Sequence, residues 1–517
     1  MSLISLRQGD KPFLALVIRR HWASSPINQA SPARSQSSLT TMRHLEKLRP
    51  LGKLEQVSAS CHHLGFFNNI GLSAHYALSG STCPAGFDLR RVIYSAARDV
   101  IRKHGILFAI PVNEDTPDTS YFASLSSIDL DQSIHFLQRS LPLAAGTDSD
   151  DKELDAILED QHNTNFKSDY GTLPFWRLVI LQAPGAETEF TASFIYHHAL
   201  GDGVSGLVFH KAFQTALAAA CSTSSSQSEA ESRVTADEKV SILPPVEDLH
   251  PQPLAPHHPN PPGPGSKTRK EWSANSIRMP CRSRWASFCL SPGVSRAFFQ
   301  ECKGQETSVT AALSSIVASV LFTTLPEPED TLTCIIPVSL RPWLSLPDDA
   351  ARDAIGTYFD ATRVSFTRPR QSSSNGRSGS PTDIWPGARE VSRALRDYLG
   401  NVSPTGEPYT AIAVLKTIPD FSVVCRSMLG KPRDAAFEVT NIGVFSSSPQ
   451  TGAPLWQVGR VMLSRSALAS GAAVTVSIAT GGDGSMTVGF SWQDGVVEDG
   501  VLDSVLRGAK KFFDRYQ

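Results

Sequence analysis

Apolar residues recur at three- and four-residue spacing between Phe87 and His104, at Leu89, Val92, Ile93, Ala96, Ala97, Val100 and Ile101. Arg90, Arg91, Arg98 and Asp99 fill the positions between them, so the segment predicts an amphipathic helix. Shorter apolar runs predict strands at Leu107–Val112, Phe175–Leu181 and Phe190–Tyr196, the last two joined by a turn at Pro184-Gly185. In the second half, Thr307–Phe322 predicts a buried helix and Thr331–Val338 a strand. The closing segments Ala472–Ala479, Met486–Trp492 and Val501–Tyr516 read as strand, strand and helix.

Breaks in this pattern divide the chain. From Cys221 to Lys270 it turns Ser-rich and then Pro-rich, a composition that buries little apolar surface and reads as a linker between two lobes. Gln371–Thr382 is a polar insert rich in Ser, Gly and Arg. Residues 1–41 carry Arg7, Arg19, Arg20 and Arg34 with one acid, Asp10, and a Ser-rich tail. They are expected to be a disordered leader, or to precede a true start at Met42. The expected units are therefore 1–41, a first lobe 42–220, the linker 221–270 and a second lobe 271–517.

The run Phe194-Ile195-Tyr196 ends in His197-His198-Ala199-Leu200-Gly201-Asp202-Gly203, and a helix is predicted from Val204 to Phe213. A strand would deliver His198 to a strand-to-helix junction, with its backbone held on both sides. Of the fourteen histidines, His198 alone has an Asp four positions on. The pairs His62-His63 and His257-His258 lack the Asp-Gly and read as ordinary. Strand alternation turns the His197 side chain away from that of His198, which makes His197 a structural residue. A lone imidazole is mostly neutral near pH 7 and suits general-base work on a hydroxyl or amine, provided that the electrophile is already activated, as a thioester is. Gly203 is expected where the backbone turns tightly or meets a ligand.

Composition narrows the picture. The 517 residues are 41% hydrophobic and 19% charged, with a net charge of −2, so no polyanionic partner is implied and nucleic-acid binding is not expected. No apolar run reaches membrane-spanning length, Val309–Phe322 being interrupted by serines. The eight cysteines are scattered, with no CxxC and no spacing suited to zinc, so no metal is expected and a reducing, cytoplasmic setting is. A mitochondrial leader, or a peripheral place on the endoplasmic reticulum or lipid droplets, is the alternative. No Gly-x-Ser-x-Gly elbow, P-loop or dinucleotide fingerprint points to a serine acyl-enzyme, ATP or NAD.

The HHxxxDG segment resembles the active-site motif of the CoA-dependent acyltransferase superfamily, which includes chloramphenicol acetyltransferase, the plant BAHD enzymes and peptide-synthetase condensation domains. Other segments resemble its fungal alcohol acetyltransferase branch: Leu45–Glu55, Leu173–Leu178, Pro337–Pro342, Ile355–Phe359 and Thr440–Phe445. The resemblance runs from about Leu45 to the C-terminus. It implies an α/β fold of two chloramphenicol acetyltransferase-like lobes with an active-site tunnel at their interface. It also implies acetyl-CoA as co-substrate, no permanently bound cofactor, and His198 as the catalytic base. Asp202 would pair with an arginine, for which Arg341 in Ser-Leu-Arg-Pro is the candidate. Thr440 and Asn441 would be oxyanion donors. The plant-type Asp-Phe-Gly-Trp-Gly segment is missing, so no CoA contacts are assigned.

The expected activity is O-acetylation of a hydrophobic alcohol by a monomer, in secondary metabolism. N-acetylation of an amine or sphingoid-like metabolite is the alternative, as is a catalytically silent binding or scaffold relative.

Overall fold

A computed structural model describes residues 45–517 except 80–86, 141–149, 187, 223–231, 238, 254–269, 328, 369–382 and 448–454. The leader 1–41 and the insert Gln371–Thr382 lie outside the described residues.

Two sheets organise the chain. Their strands are β1 (Ile70–Leu78), β2 (Ile134–Gln138), β3 (Trp176–Gln182), β4 (Glu189–Tyr196), β5 (Lys270–Glu271) and β6 (Ser283–Leu290), then β7 (Glu329–Ser339), β8 (Phe359–Thr367), β9 (Phe437–Val444), β10 (Trp456–Arg465), β11 (Val474–Thr480) and β12 (Met486–Gln493). The first sheet has the order β10-β1-β4-β3-β2, and the second β5-β7-β9-β11-β12-β6 with β8 on β7. Helices α1 (Lys53–Leu64), α2 (Leu89–Lys103), α3 (Gly203–Ser222), α4 (Val309–Thr324) and α5 (Phe421–Met428) pack on and between them.

Local sequence explains the main elements. The predicted apolar stripe of α2 is its buried face, and the Asp88 side chain caps the helix by accepting from the Arg90 and Arg91 N–H groups. That face meets α3, which in turn lies on the first sheet with Phe209 stacked on Phe194 at 3.8 Å between ring centroids. Helix α4 is apolar nearly all round because it is buried in the second core, among Phe298, Leu332 and Val476. Among the described residues no single helix is long and apolar enough to cross a membrane. Helix α4 and the preceding Pro292–Gly304 helix pass that test only as a pair bent by 96°.

Two boundaries drawn from the sequence need correction. Strand β10 falls within 271–517, yet it pairs antiparallel with β1 and buries Trp456 and Val461 in the first core. The second half of the chain therefore supplies an edge strand to the first sheet, because period-two alternation marks a strand without naming its sheet. The segment 221–270 is also more than a linker. Its Arg233–Thr235 strand pairs with Ser127–Asp129, and Val234 and Val246 are buried. Glu247 accepts the Leu54 N–H at 3.0 Å, at the start of α1.

Candidate active site

Strand β4 ends at Tyr196 and α3 begins at Gly203, so the motif is the connection between them. Each of its ends is tied down. The His197 N–H donates to the Phe175 carbonyl at 2.9 Å, and the Tyr196 hydroxyl donates to the Asp202 carbonyl at 2.6 Å. The Thr357 hydroxyl donates to the His198 carbonyl at 2.9 Å, and the Asp202 N–H to the Gly356 carbonyl at 3.1 Å. A Cβ on Gly203 would stand 2.7 Å from Ile442 Cγ2, so glycine is needed here for close approach to β9.

Arg341 lies on Asp202, with Nη1 2.7 Å from Oδ2 and Nη2 2.9 Å from Oδ1. Asp202 also accepts the Tyr358 N–H at 3.0 Å and the Ser205 N–H at 3.1 Å. Burial alone pushes the Asp202 carboxyl up, and the Arg341 guanidinium with these donors reverses the shift to a net lowering. Both partners are buried and directed at each other, so the pair holds the loop to the segment after β7. It is a bracket between the two halves of the chain.

The two histidines meet different surroundings. His197 Nε2 lies 3.1 Å from Glu114 Oε1, and His62 Nδ1 lies 2.9 Å from Glu114 Oε2. The Tyr170 hydroxyl donates to the same carboxylate. On their far sides, His62 Nε2 accepts the Phe166 N–H at 3.1 Å and His197 Nδ1 accepts the Ala199 N–H at 3.0 Å. Those contacts place the protons shared with the carboxylate on the nitrogens facing Glu114. Burial lowers the His197 pKa to about 4, His62 adds to that, and Glu114 opposes it. Burial works to raise the Glu114 pKa, but the two histidines outweigh it and hold the carboxyl well below the usual range. Three atoms of this cluster lie as close together as metal ligands would. The nitrogens that face inward carry the protons, however, so the set suits hydrogen bonding to a carboxylate and does not fit a metal ion.

His198 points the other way, with its ring 5.6 Å from that of Phe67 and 5.5 Å from that of Phe359. It lines a cavity of about 250 Å³. The walls come from α1 (Leu54, Cys61), from β1 (Ile70), and from β7, β8, β9 and β10. Both sheets therefore contribute. His198 is half-buried while its Nδ1 is wholly enclosed, which leaves Nε2 as the nitrogen that meets the cavity. Burial, with the positive charge of Arg465 second, lowers its pKa to about 4. The imidazole is thus neutral at pH 7 and able to accept a proton.

Thr440 and Asn441 also line the cavity. The Thr440 hydroxyl donates to Glu438 Oε1 at 2.8 Å, so its single proton is already committed. Asn441 donates from Nδ2 to the Thr310 hydroxyl at 3.1 Å and accepts the Gly443 N–H at 2.9 Å. The oxyanion role expected of them finds no unused proton on Thr440, whereas Asn441 keeps its second Nδ2 proton.

Several site residues had escaped notice. His62, set aside as one of an ordinary pair, belongs to the Glu114 cluster. Arg465 and Glu438 stand in the cavity wall; the signal for Glu438 is a single charge between apolar neighbours, Phe437-Glu438-Val439, while Arg465 ends a strand that also carries Arg460 and gave none. Glu114 and Tyr170 gave no local signal.

Comparison with known proteins places this geometry. Residues 50–252 match the alcohol acetyltransferase family. The chain is 59% identical over 466 residues to the protein named "Probable alcohol acetyltransferase crmB" of Aspergillus fumigatus, covering 90% of this chain and 99% of that one. It is 24% identical over 217 residues to "Probable alcohol acetyltransferase FCK4" of Fusarium pseudograminearum, covering 42% and 43%. Among solved structures, the trichothecene 15-O-acetyltransferase of Fusarium sporotrichioides superposes with a TM-score of 0.61 at 13% identity, covering 91% of this chain and 94% of that one. The starter condensation domain of rhizomide synthetase, solved with C8-CoA, gives 0.52 at 12% identity, covering 93% and 96%. These two likenesses are of fold, the two-lobed α/β arrangement of acetyltransferases and condensation domains. Taken with the identity to the Aspergillus protein over nearly its whole length, they lead to one conclusion: the chain belongs to the alcohol acetyltransferase family.

Proposed function

We propose that this protein transfers the acetyl group of acetyl-CoA to the hydroxyl of a hydrophobic alcohol, with His198 as general base. The observation that carries this reading is a neutral imidazole whose Nε2 meets an apolar-walled cavity between the two sheets. Nε2 takes the proton of the acceptor hydroxyl as its oxygen forms a bond to the thioester carbonyl carbon. The C–S bond then breaks, and the proton passes from His198 to the departing CoA thiolate. Such assistance is worth about 10²–10⁴ in rate. Asp202 and Arg341 hold the loop that carries His198 and take no proton.

Oxygen as the accepting atom is supported by the names of the Aspergillus relative and the trichothecene 15-O-acetyltransferase. A CoA thioester as donor is supported by the C8-CoA bound to the rhizomide-synthetase domain. The trichothecene enzyme also supports an acceptor drawn from fungal secondary metabolism. The test is release of free thiol from acetyl-CoA by purified protein across a panel of alcohols and amines, with the products read by mass spectrometry. Alcohol-dependent release with an ester product is expected. Stimulation by amines alone would replace O-transfer with N-transfer, and failure to bind acetyl-CoA would make the chain a silent relative.

A further inference from the structure

The cavity that receives His198 is apolar over most of its wall, through Val57, Phe67, Ile70, Phe359, Ile412 and Leu463. Charged side chains interrupt that wall: Asp202 is held by Arg341, Arg363 by Asp434 and Asp360 by the Tyr398 hydroxyl, which leaves the pair Arg465 and Glu438. Arg465 ends β10, where it pairs with Ile70 of β1, and Ile70 pairs with Tyr196 of β4. Arg465 therefore stands two strand spacings, about 10 Å, from the residue that leads into the motif. Its Cζ lies 5.1 Å from the centre of the Phe67 ring, the ring that His198 also faces. Glu438 reaches the same place from β9 of the other sheet.

The pairing of these two charges is incomplete. Glu438 Oε1 accepts from Arg465 Nη1 at 2.5 Å and from the Thr440 hydroxyl at 2.8 Å. Glu438 Oε2 accepts no hydrogen bond among the described residues. Arg465 is 9% exposed and its Nε is wholly enclosed, as is that of Arg341, so the donor it can offer the cavity is Nη2, which donates to no group among the described residues, Nη1 being taken by Glu438. A guanidinium has five N–H donors, and buried ones are ordinarily taken up. A pair serving structure alone would close as a two-pronged fork, as Arg341 does on Asp202. Here Arg465 Nη2 and Glu438 Oε2 are left unused on two residues that are paired through their other atoms and line the cavity.

We propose that Arg465 and Glu438 form a subsite for a second hydroxyl group on the acceptor, so that the preferred substrate is a diol with an otherwise apolar body. A hydroxyl both accepts and donates, and so answers Arg465 and Glu438 together. A carboxylate would be repelled by Glu438, and an ammonium by Arg465. The hydroxyl at this subsite is unchanged by the reaction. The other hydroxyl gives its proton to His198, forms the C–O bond to the acetyl carbon, and leaves the proton on the CoA thiol as the C–S bond breaks. This inference rests on the acetyl-transfer reading above.

The test compares hexanol with hexanediols whose hydroxyls lie on adjacent, next-adjacent or terminal carbons, using full-length protein, acetyl-CoA and thiol release. For the wild type, the best diol is expected to exceed hexanol in kcat/KM by about 10–100-fold, the range for a hydrogen bond to a buried charged group. Arg465→Met and Glu438→Gln should each bring that ratio down to within about 3-fold of unity, whatever the absolute rates, while Arg465→Lys keeps part of it. A wild-type ratio near unity with good hexanol turnover overturns the subsite and leaves acetyl transfer standing. Equal loss of both substrates in Arg465→Met also overturns it. Thiol release with no alcohol at all overturns the transfer reading and the subsite together. If Arg465→Met does not fold, the wild-type ratio and Glu438→Gln decide.

Discussion

His197 and His198 are neighbours in the chain and opposites in environment. His197 is enclosed on all sides, with both ring nitrogens opposite fixed partners, the Ala199 N–H and the Glu114 carboxylate. His198 has aromatic rings for neighbours and an open cavity before Nε2. Burial lowers both pKa values to about 4, so the charge state of the two rings is the same at pH 7. What differs is whether the lone pair is spent. An imidazole whose acceptor nitrogen is already satisfied braces the fold, and one whose acceptor nitrogen faces a cavity can act on a substrate.

The comparison is broken most severely by removing the ring that faces the cavity. His198→Ala is expected to lower kcat by about 10²–10⁴ with little change in Tm, as read by steady-state thiol release beside thermal denaturation. Turnover near wild type would end the general-base assignment. The bracket beneath both rings comes next. Arg341→Ala leaves Asp202 buried without its partner and should cost about 3–5 kcal/mol of stability by chemical denaturation. Activity should fall with it. A large rate loss at unchanged stability would mean that the Asp202–Arg341 pair takes part in the chemistry.

The closed side gives a smaller effect. Glu114→Gln keeps the volume but turns amide N–H groups toward donors, and should cost about 1–3 kcal/mol. Its kcat should stay at least about tenfold above that of His198→Ala. The reverse ranking would interchange the roles of the two histidines. The smallest effect is on pH. The acid limb of kcat/KM should fall near pH 4, not near the ordinary histidine value of about 6.5, because His198 stays neutral until then. For His197 the folded-state pKa is depressed, so the unfolded chain takes up the proton first. Its contribution to stability is full above about pH 6.5 and is lost as the pH falls toward 4; His104, His162, His198 and His210 act in the same sense, so the difference in Tm between wild type and His197→Gln across that window reads it.

The sequence by itself determined the elements and the motif. The stripe from Leu89 to Ile101 is the buried face of α2, and the apolar run before His197 is β4. Both are legible because helix and strand periodicities are local properties of successive side chains. The same locality put His197 and His198 on opposite faces before any partner was known. Tertiary structure decided everything that depends on residues far apart in the chain. Glu114 meets His62 across 52 residues, and Arg465 meets Glu438 across 27, between strands of different sheets; the Arg341–Asp202 pair, 139 residues apart, is the long-range contact that the family resemblance had implied. The position of β10 in the first sheet was likewise hidden, since alternation says which face is buried and not which neighbour will cover it. Thr440 and Asn441 stand in the cavity wall, where the Thr440 hydroxyl proton is taken by Glu438 while Asn441, donating once to Thr310, keeps a second Nδ2 proton. A side chain's chemistry is written in its residue type, while its availability depends on which groups the fold brings within 3 Å of it.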